Sequence, residues 1–212
     1  MAKIIFFGTP EFALPILKKI YNSKHEILMV YTQPPKKSFR GQKLNKTVIH
    51  EFSEKVSLNV KTPNDLVGEE TFLNKINFDI GIVVAYGKLI PKEILNLSKY
   101  GFINIHASLL PKYRGAAPIQ RSLINQDKET GISFMKIIEK LDSGPVCKKY
   151  KIAINKNENY NSLLARLSSL GEDNVIEIIE QIIENKIKFF EQNEHEASYA
   201  KKIEKSDGKI NG

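Results

Sequence analysis

Residues 79–85, DIGIVVA, carry no charged side chain after the first position. The run is short for a helix and lacks the alternation of a strand with one wet face. It therefore reads as a strand buried on both sides, in the middle of a parallel sheet. Parallel neighbours need crossover connections, usually helices, and the surrounding sequence supplies them. Residues 3–7 are an apolar run ending in Gly8-Thr9-Pro10-Glu11, followed by Phe12, Leu14, Ile16, Leu17 and Ile20 at helical spacing. Strand, turn and helix are expected there, with Thr9 as N-cap and Pro10 at the first helical position. Residues 26–31 give a second strand; after a basic loop come a helix over 47–55, a short strand near 59–61 and a helix over 69–75. Beyond 79–85 the order is a short helix over 91–97, a strand over 101–106 and a helix over 119–125. This alternation predicts an α/β fold, a doubly wound, mostly parallel, Rossmann-like sheet.

After Thr130 the pattern changes to two strands, over 132–138 and 146–154, joined by a turn-rich link. Residues 160–185 form a long helix with one apolar side, and Gly171 marks a place where it can break. From Asn193 the chain turns polar and basic and reads as a linker. The expected division is one domain over 1–190 and a linker or tail over 191–212.

No segment approaches the ~20 uninterrupted apolar residues of a membrane span. The N-terminal apolar run is too short for a signal peptide, so a cytoplasmic protein is expected. The single Cys147 permits no internal disulfide, and four dispersed histidines show no ligand spacing, so no structural metal is expected. The formal charge of +8 is unevenly spread: residues 33–50 hold Lys36, Lys37, Arg40, Lys43 and Lys46 and no Asp or Glu. A polyanion is one natural partner for such a segment; a solvated mobile loop is the other reading. Arginine is scarce, and Arg40, Arg114 and Arg121 fall in the segments of interest. Guanidinium forks grip phosphate or carboxylate at two points, so these positions are candidate ligand contacts.

The strand over 102–106 carries the strongest chemical signal. Alternation puts Asn104 and His106 on one face and Ile103 and Ile105 on the other. The two polar groups sit where an apolar strand ends, and ligands in open α/β sheets bind just beyond the carboxyl ends of strands.

Asn104-Ile105-His106-Ala107-Ser108-Leu109-Leu110-Pro111, Tyr113-Arg114-Gly115-Ala116-Ala117-Pro118-Ile119-Gln120 and Leu141-Asp142-Ser143-Gly144 closely resemble the folate-dependent formyltransferases. Within that group, Phe7-Gly8-Thr9-Pro10-Glu11-Phe12-Ala13, Tyr31-Thr32-Gln33-Pro34, Ala85-Tyr86-Gly87 and Ala197-Ser198-Tyr199-Ala200 look like the members that formylate methionyl-tRNA. The resemblance implies transfer of the formyl group of 10-formyltetrahydrofolate to the α-amine of methionyl-initiator tRNA, for translation initiation. It also implies Asn104, His106 and Asp142 as catalytic residues. Their chemistry suits the task. Asn104 can donate to the formyl oxygen as charge builds there. His106 can polarise that oxygen or shuttle a proton at neutral pH. Asp142 would fold back onto His106, favouring its charged form or ordering a water.

By the same resemblance, Ser108, Leu109, Leu110 and Pro111 lie against the tetrahydrofolate. Its pterin is held by backbone groups of the loop containing Tyr86, Gly87, Leu89 and Ile90. A flat pterin needs backbone donors and acceptors plus apolar walls, which these segments can offer. The basic loop would meet the tRNA acceptor arm through Lys36, Lys37, Arg40 and Lys43. Here the family's usual Gly-Arg-Gly-Lys-Lys appears as Phe39-Arg40-Gly41-Gln42-Lys43, and its proline-rich exit as Asn45-Lys46-Thr47-Val48; the charge is kept. Full-length members carry a second, β-rich C-terminal domain, and this chain is expected to be the catalytic domain without it, a monomer. Two alternatives remain open at this point: a formyltransferase for an amino-sugar nucleotide or glycinamide ribonucleotide, and an inactive RNA-binding module on the same scaffold.

Overall fold

The computed structural model describes residues 1–37 and 44–204. In chain order its elements are β1 (Lys3–Gly8), α1 (Leu14–Tyr21), β2 (Glu26–Tyr31), β3 (Lys36–Lys37), β4 (Leu44–Asn45), α2 (Val48–Lys55), β5 (Val60–Lys61) and α3 (Glu69–Ile76). There follow β6 (Ile80–Val84), α4 (Lys92–Leu95), β7 (Phe102–His106), α5 (Pro118–Ile124), β8 (Glu129–Lys136), β9 (Val146–Ala153) and α6 (Tyr160–Ile183). Seven strands form one sheet in the order β5-β2-β1-β6-β7-β8-β9. Pairing is parallel from β5 to β7 and antiparallel from β7 through β8 to β9. The chain winds outward from β1 to β5 and then restarts beside β1 with β6, so the strand order reverses there. Ligand sites of such sheets lie at the carboxyl ends around this reversal.

Alternation along each strand divides the core between two faces. Ile4, Phe6, Ile80, Ile82, Ile103 and Ile105 pack under α1 and α6, against Ile16, Leu17, Leu163, Leu167 and Ile178. Ile5, Phe7, Tyr31, Val83 and Phe102 pack on the other face with Leu73 and Ile94. Each such side chain, fully buried, contributes ~1.5–3 kcal/mol. Asn104 and His106 share the face of Phe102, toward the carboxyl end of β7.

Three expectations are corrected. Thr9 does not cap a helix: its Oγ1 donates to Tyr86 O at 2.9 Å, and Pro10 instead precedes a short 3₁₀ turn over Glu11–Ala13 before α1 begins at Leu14. α6 runs unbroken through Gly171, where a Cβ would stand 2.7 Å from Ile16 Cδ1; the glycine serves close approach of α1 rather than a break. The basic segment is not all loop, since β3 and β4 form a two-stranded antiparallel ribbon at its flanks. Elsewhere the expected elements stand, with Thr47 capping α2 by accepting from His50 N. Among the described residues no helix is long and apolar enough to cross a membrane.

Candidate active site

The site is built on the last residues of β7. In register, Asn104 lies between Val83 of β6 and Met135 of β8, and His106 lies opposite Ser133. His106 is 7% exposed. Its Nε2 is 2.8 Å from the carbonyl oxygen of Tyr113. A carbonyl can only accept, so Nε2 carries the hydrogen and Nδ1 is the nitrogen with a free lone pair in the neutral ring. Nδ1 faces Asp142 Oδ2 at 3.7 Å. The same carboxylate accepts from Gly115 N at 2.8 Å and from Asn104 Nδ2 at 3.4 Å. The last contact is long, so the Asn104 amide is lightly held and can turn to another acceptor.

Two of these parts sit in left-handed backbone: Tyr113 at φ +59° and Asp142 at φ +44°. Each such residue costs ~1–3 kcal/mol and persists only where its surroundings hold it. Tyr113 is held at both ends. Its N–H donates to Ser198 Oγ at 2.9 Å, and its hydroxyl, which donates to Asp127 Oδ2 at 2.6 Å, accepts from Asn125 Nδ2. Burial, reinforced by the bond to Asp127, raises the pKa of that phenol.

Residues 192–200, within the stretch expected as linker, complete the site and are docked on the segment after β7. Arg114 N donates to Ser198 O, Ala200 N to Arg114 O, and Ala117 N to Ala200 O. Arg114, a candidate ligand contact by sequence, is fully buried instead. Its fork donates to both Glu194 oxygens and to Gln192 Oε1, all within 3.1 Å. Glu194 also accepts from Lys140. These hydrogen bonds, Arg114 first and Lys140 second, hold the Glu194 carboxyl at about 2.

The expected folate contacts divide. Ser108 is fully buried, its Oγ donating to Lys112 O and its carbonyl accepting from Ser133 Oγ. Leu110 is fully buried against Met135 and Val146, and Pro111 is buried too. These three side chains face inward, while Leu109 keeps partial exposure. In the loop after β6, Tyr86 is buried with its ring edge-on to Phe7, and its carbonyl accepts from Thr9 Oγ1 and Gln33 Nε2. Burial, with a smaller push from Glu69, moves the Tyr86 hydroxyl up to about 12. Ala85 and Gly87 are exposed with positive φ, Leu89 is 83% exposed and Ile90 is half-buried. This loop thus presents backbone and apolar side chains beside β7, as a flat heterocycle requires.

Lys36 is exposed on β3, and Lys37 follows it in the ribbon; Arg40 and Lys43 lie outside the described residues. A groove of about 510 Å³ at β9 and the chain after α6 is lined by Pro111, Val146, Cys147, Lys149, Phe190 and Gln192. It contains none of Asn104, His106 and Asp142, and burial pushes its thiol, Cys147, up to about 11, so the polar cluster is the better seat for chemistry. Sequence reasoning missed Tyr113, Gly115 and Gln192. The first two act through backbone groups, which residue type does not reveal.

Residues 2–179 match the family model described as formyl transferase. The chain is 54% identical over 211 residues to the methionyl-tRNA formyltransferase of Pelagibacter ubique, covering 98% of this chain and 68% of that protein. It is 45% identical over 205 residues to the enzyme of the same name from a Wolbachia of Drosophila simulans, covering 95% and 68%. Among solved structures, the N-formyltransferase of Helicobacter canadensis in complex with folinic acid and dTDP-3-aminofucose aligns over 94% of this chain and 71% of its own. The TM-score is 0.70 at 23% identity, a likeness of fold.

Proposed function

Because the chain belongs to the formyl transferase family, we propose that it moves the formyl group of 10-formyltetrahydrofolate to the α-amine of methionyl-initiator tRNA. One observation carries this reading. The Asp142 carboxylate lies 3.4 Å from the Asn104 amide and 3.7 Å from His106 Nδ1 at the end of β7, in a chain 54% identical to a protein named for this reaction.

In the transfer, the amine nitrogen bonds to the formyl carbon and the bond from that carbon to the folate nitrogen breaks. One proton leaves the amine and one reaches the folate nitrogen. Asn104 donates its amide hydrogen to the formyl oxygen as negative charge gathers there; one such donor is worth ~10²–10³ in rate. His106 takes the amine proton at Nδ1, because Nε2 is committed to Tyr113 O. Asp142 stands beside Nδ1 and pairs the imidazolium that forms. Positioned acid–base groups of this kind contribute ~10²–10⁴. Leu89, Ile90 and Leu109 wall the folate, and the backbone around Ala85 and Gly87 meets the pterin edge; Ser108, Leu110 and Pro111 shape that wall from behind. Lys36, Lys37, Arg40 and Lys43 neutralise acceptor-arm phosphates, so affinity falls steeply with salt. All catalytic groups come from one chain, so a monomer suffices, and its place is the cytoplasm with the translation machinery.

The test is formyl transfer from 10-formyltetrahydrofolate to methionyl-initiator tRNA, beside His106→Ala and a panel of amino-sugar nucleotides. Transfer to the tRNA that vanishes in the mutant is expected; transfer to a sugar nucleotide alone would overturn the acceptor. The acceptor amine must arrive neutral, so the rate rises with pH toward the ~7.7–8.0 of an α-amine. With chemistry rate-limiting, a flat profile from pH 6 to 8 would count against the assignment.

A further inference from the structure

Gln192 lies outside every motif that marks the site, yet it is bonded to the backbone of the loop that carries Asp142 at two points. Its Nε2 donates to Asp142 O at 2.9 Å and to Gly144 O at 2.7 Å, bridging the carbonyls of the 142–143 and 144–145 peptides. Its Oε1 accepts from Arg114 Nε and Nη2 at 3.1 and 2.9 Å. One amide therefore joins the two segments that make the site: the loop after β8, which supplies the carboxylate, and the turn after β7, which supplies the Tyr113 carbonyl and the Gly115 N–H.

The other ties of the loop over 139–144 do not involve the Asp142 carbonyl: Glu139 pairs with Lys92, Lys140 with Glu194, and Ser143 donates to Lys140 O through Oγ and through its N–H. Glu139, Lys140 and Leu141 are exposed, and Asp142 is in left-handed backbone. Its side chain is aimed by Gly115 N and by the long contact to Asn104, but these act on the carboxylate and not on the peptide that bears it. From this we infer that Gln192 is a positioning residue for Asp142, setting the distance of the carboxylate from His106 Nδ1 through the two backbone carbonyls. The inference rests on the reading of Asn104, His106 and Asp142 as the catalytic group. It adds a residue from a polar segment fifty positions away that no pattern around the site points to.

Gln192→Glu separates this role from simple docking. The substitution keeps an oxygen for the Arg114 fork, and strengthens that contact, while it replaces the donor facing two carbonyls with an acceptor that repels them. Supporting residues around a reacting group typically cost ~10–100-fold when lost. The measurement is steady-state formyl transfer to methionyl-initiator tRNA with wild type, Gln192→Glu, Asp142→Asn and the double variant, with melting temperatures alongside. The expected result is a kcat for Gln192→Glu lowered ~10–100-fold, with unchanged KM for both substrates and an undiminished melting temperature. In the Asp142→Asn background the same substitution should change kcat little, because its effect passes through Asp142. A Gln192→Glu enzyme with wild-type kcat, or one whose loss multiplies in full with that of Asp142→Asn, overturns the inference while leaving the site reading intact. An Asp142→Asn enzyme at full kcat removes the site reading, and the inference with it.

Discussion

Two loops follow the adjacent strands β6 and β7 at the carboxyl end of the sheet, and they are held in different ways. The loop after β6 hangs from the core: Tyr86 is buried against Phe7, and its carbonyl is tied to Thr9 and Gln33. The turn after β7 hangs from the far end of the chain: Tyr113 and Arg114 are bonded to Ser198 and Ala200, and Arg114 to Gln192 and Glu194. On the proposed reading the first loop is a wall for a flat ligand, which the rigidity of the sheet can serve. The second supplies the Tyr113 carbonyl to His106 and the Gly115 N–H to the Asp142 carboxylate, and it draws on groups remote in sequence to do so. Damage to the two should therefore read out in different kinetic constants.

The largest effect should come from His106→Ala, which removes the ring nitrogen 3.7 Å from Asp142 Oδ2: kcat falls ~10²–10⁴ with folate KM unchanged. A loss confined to KM would move His106 from the reacting side to the binding side. Gly144→Ala comes next. Its Cβ would stand 1.9 Å from Lys136 O, so the loop bearing Asp142 must shift. A displacement near 1 Å costs about 10²-fold in kcat; turnover within threefold of wild type would show that the carboxylate tolerates movement. At the loop after β6, Gln33→Ala takes one hydrogen bond from Tyr86 O and should raise folate KM ~2–10-fold with kcat intact. A fall in kcat instead would erase the distinction between the loops.

The smallest effect is set by Glu194. Its carboxyl is held at about 2, below the ~4.3 of an unfolded chain. A depressed carboxylate adds stability that is present above the unfolded value and lost as pH falls through the folded one. The docking of residues 192–200 should therefore weaken between about pH 4.3 and 2. The shifts of the Ser198 and Ala200 amides, followed by NMR, should titrate over that window, and Glu194→Gln should abolish the titration.

Much of the fold was legible because burial writes itself into periodicity. The two-sided run of β6 and the apolar stripe of α6 match the structure nearly residue for residue. Asn104 and His106 were legible for the same reason, since alternation along β7 sets their face. What escaped detection depends on partners distant in sequence. Thr9 looks like a helix cap, but its hydroxyl finds Tyr86, 77 residues away. Arg114 looks like a grip for an external anion, yet its anion is internal. Residues 192–200 read as linker because their polar side chains bond to backbone and to one another instead of filling a core. The Tyr113 carbonyl could not be foreseen at all, because every residue carries one.

The dependence of the turn after β7 on that remote segment also sets an order in time. Chains emerge from the ribosome N-terminus first, and domains begin to fold as they emerge. Six strands of the sheet and the three side chains of the proposed catalytic group are present once Asp142 is out, but β9 and α6 come after it, the amide that spans its loop arrives fifty residues later, with Gln192, and the partners of Tyr113 and Arg114 follow with Ser198 and Ala200. A nascent chain thus carries the three side chains of the proposed catalytic group through an interval of some fifty residues before the contacts made by Gln192 can form, and on the proposed reading alignment of the site waits for them.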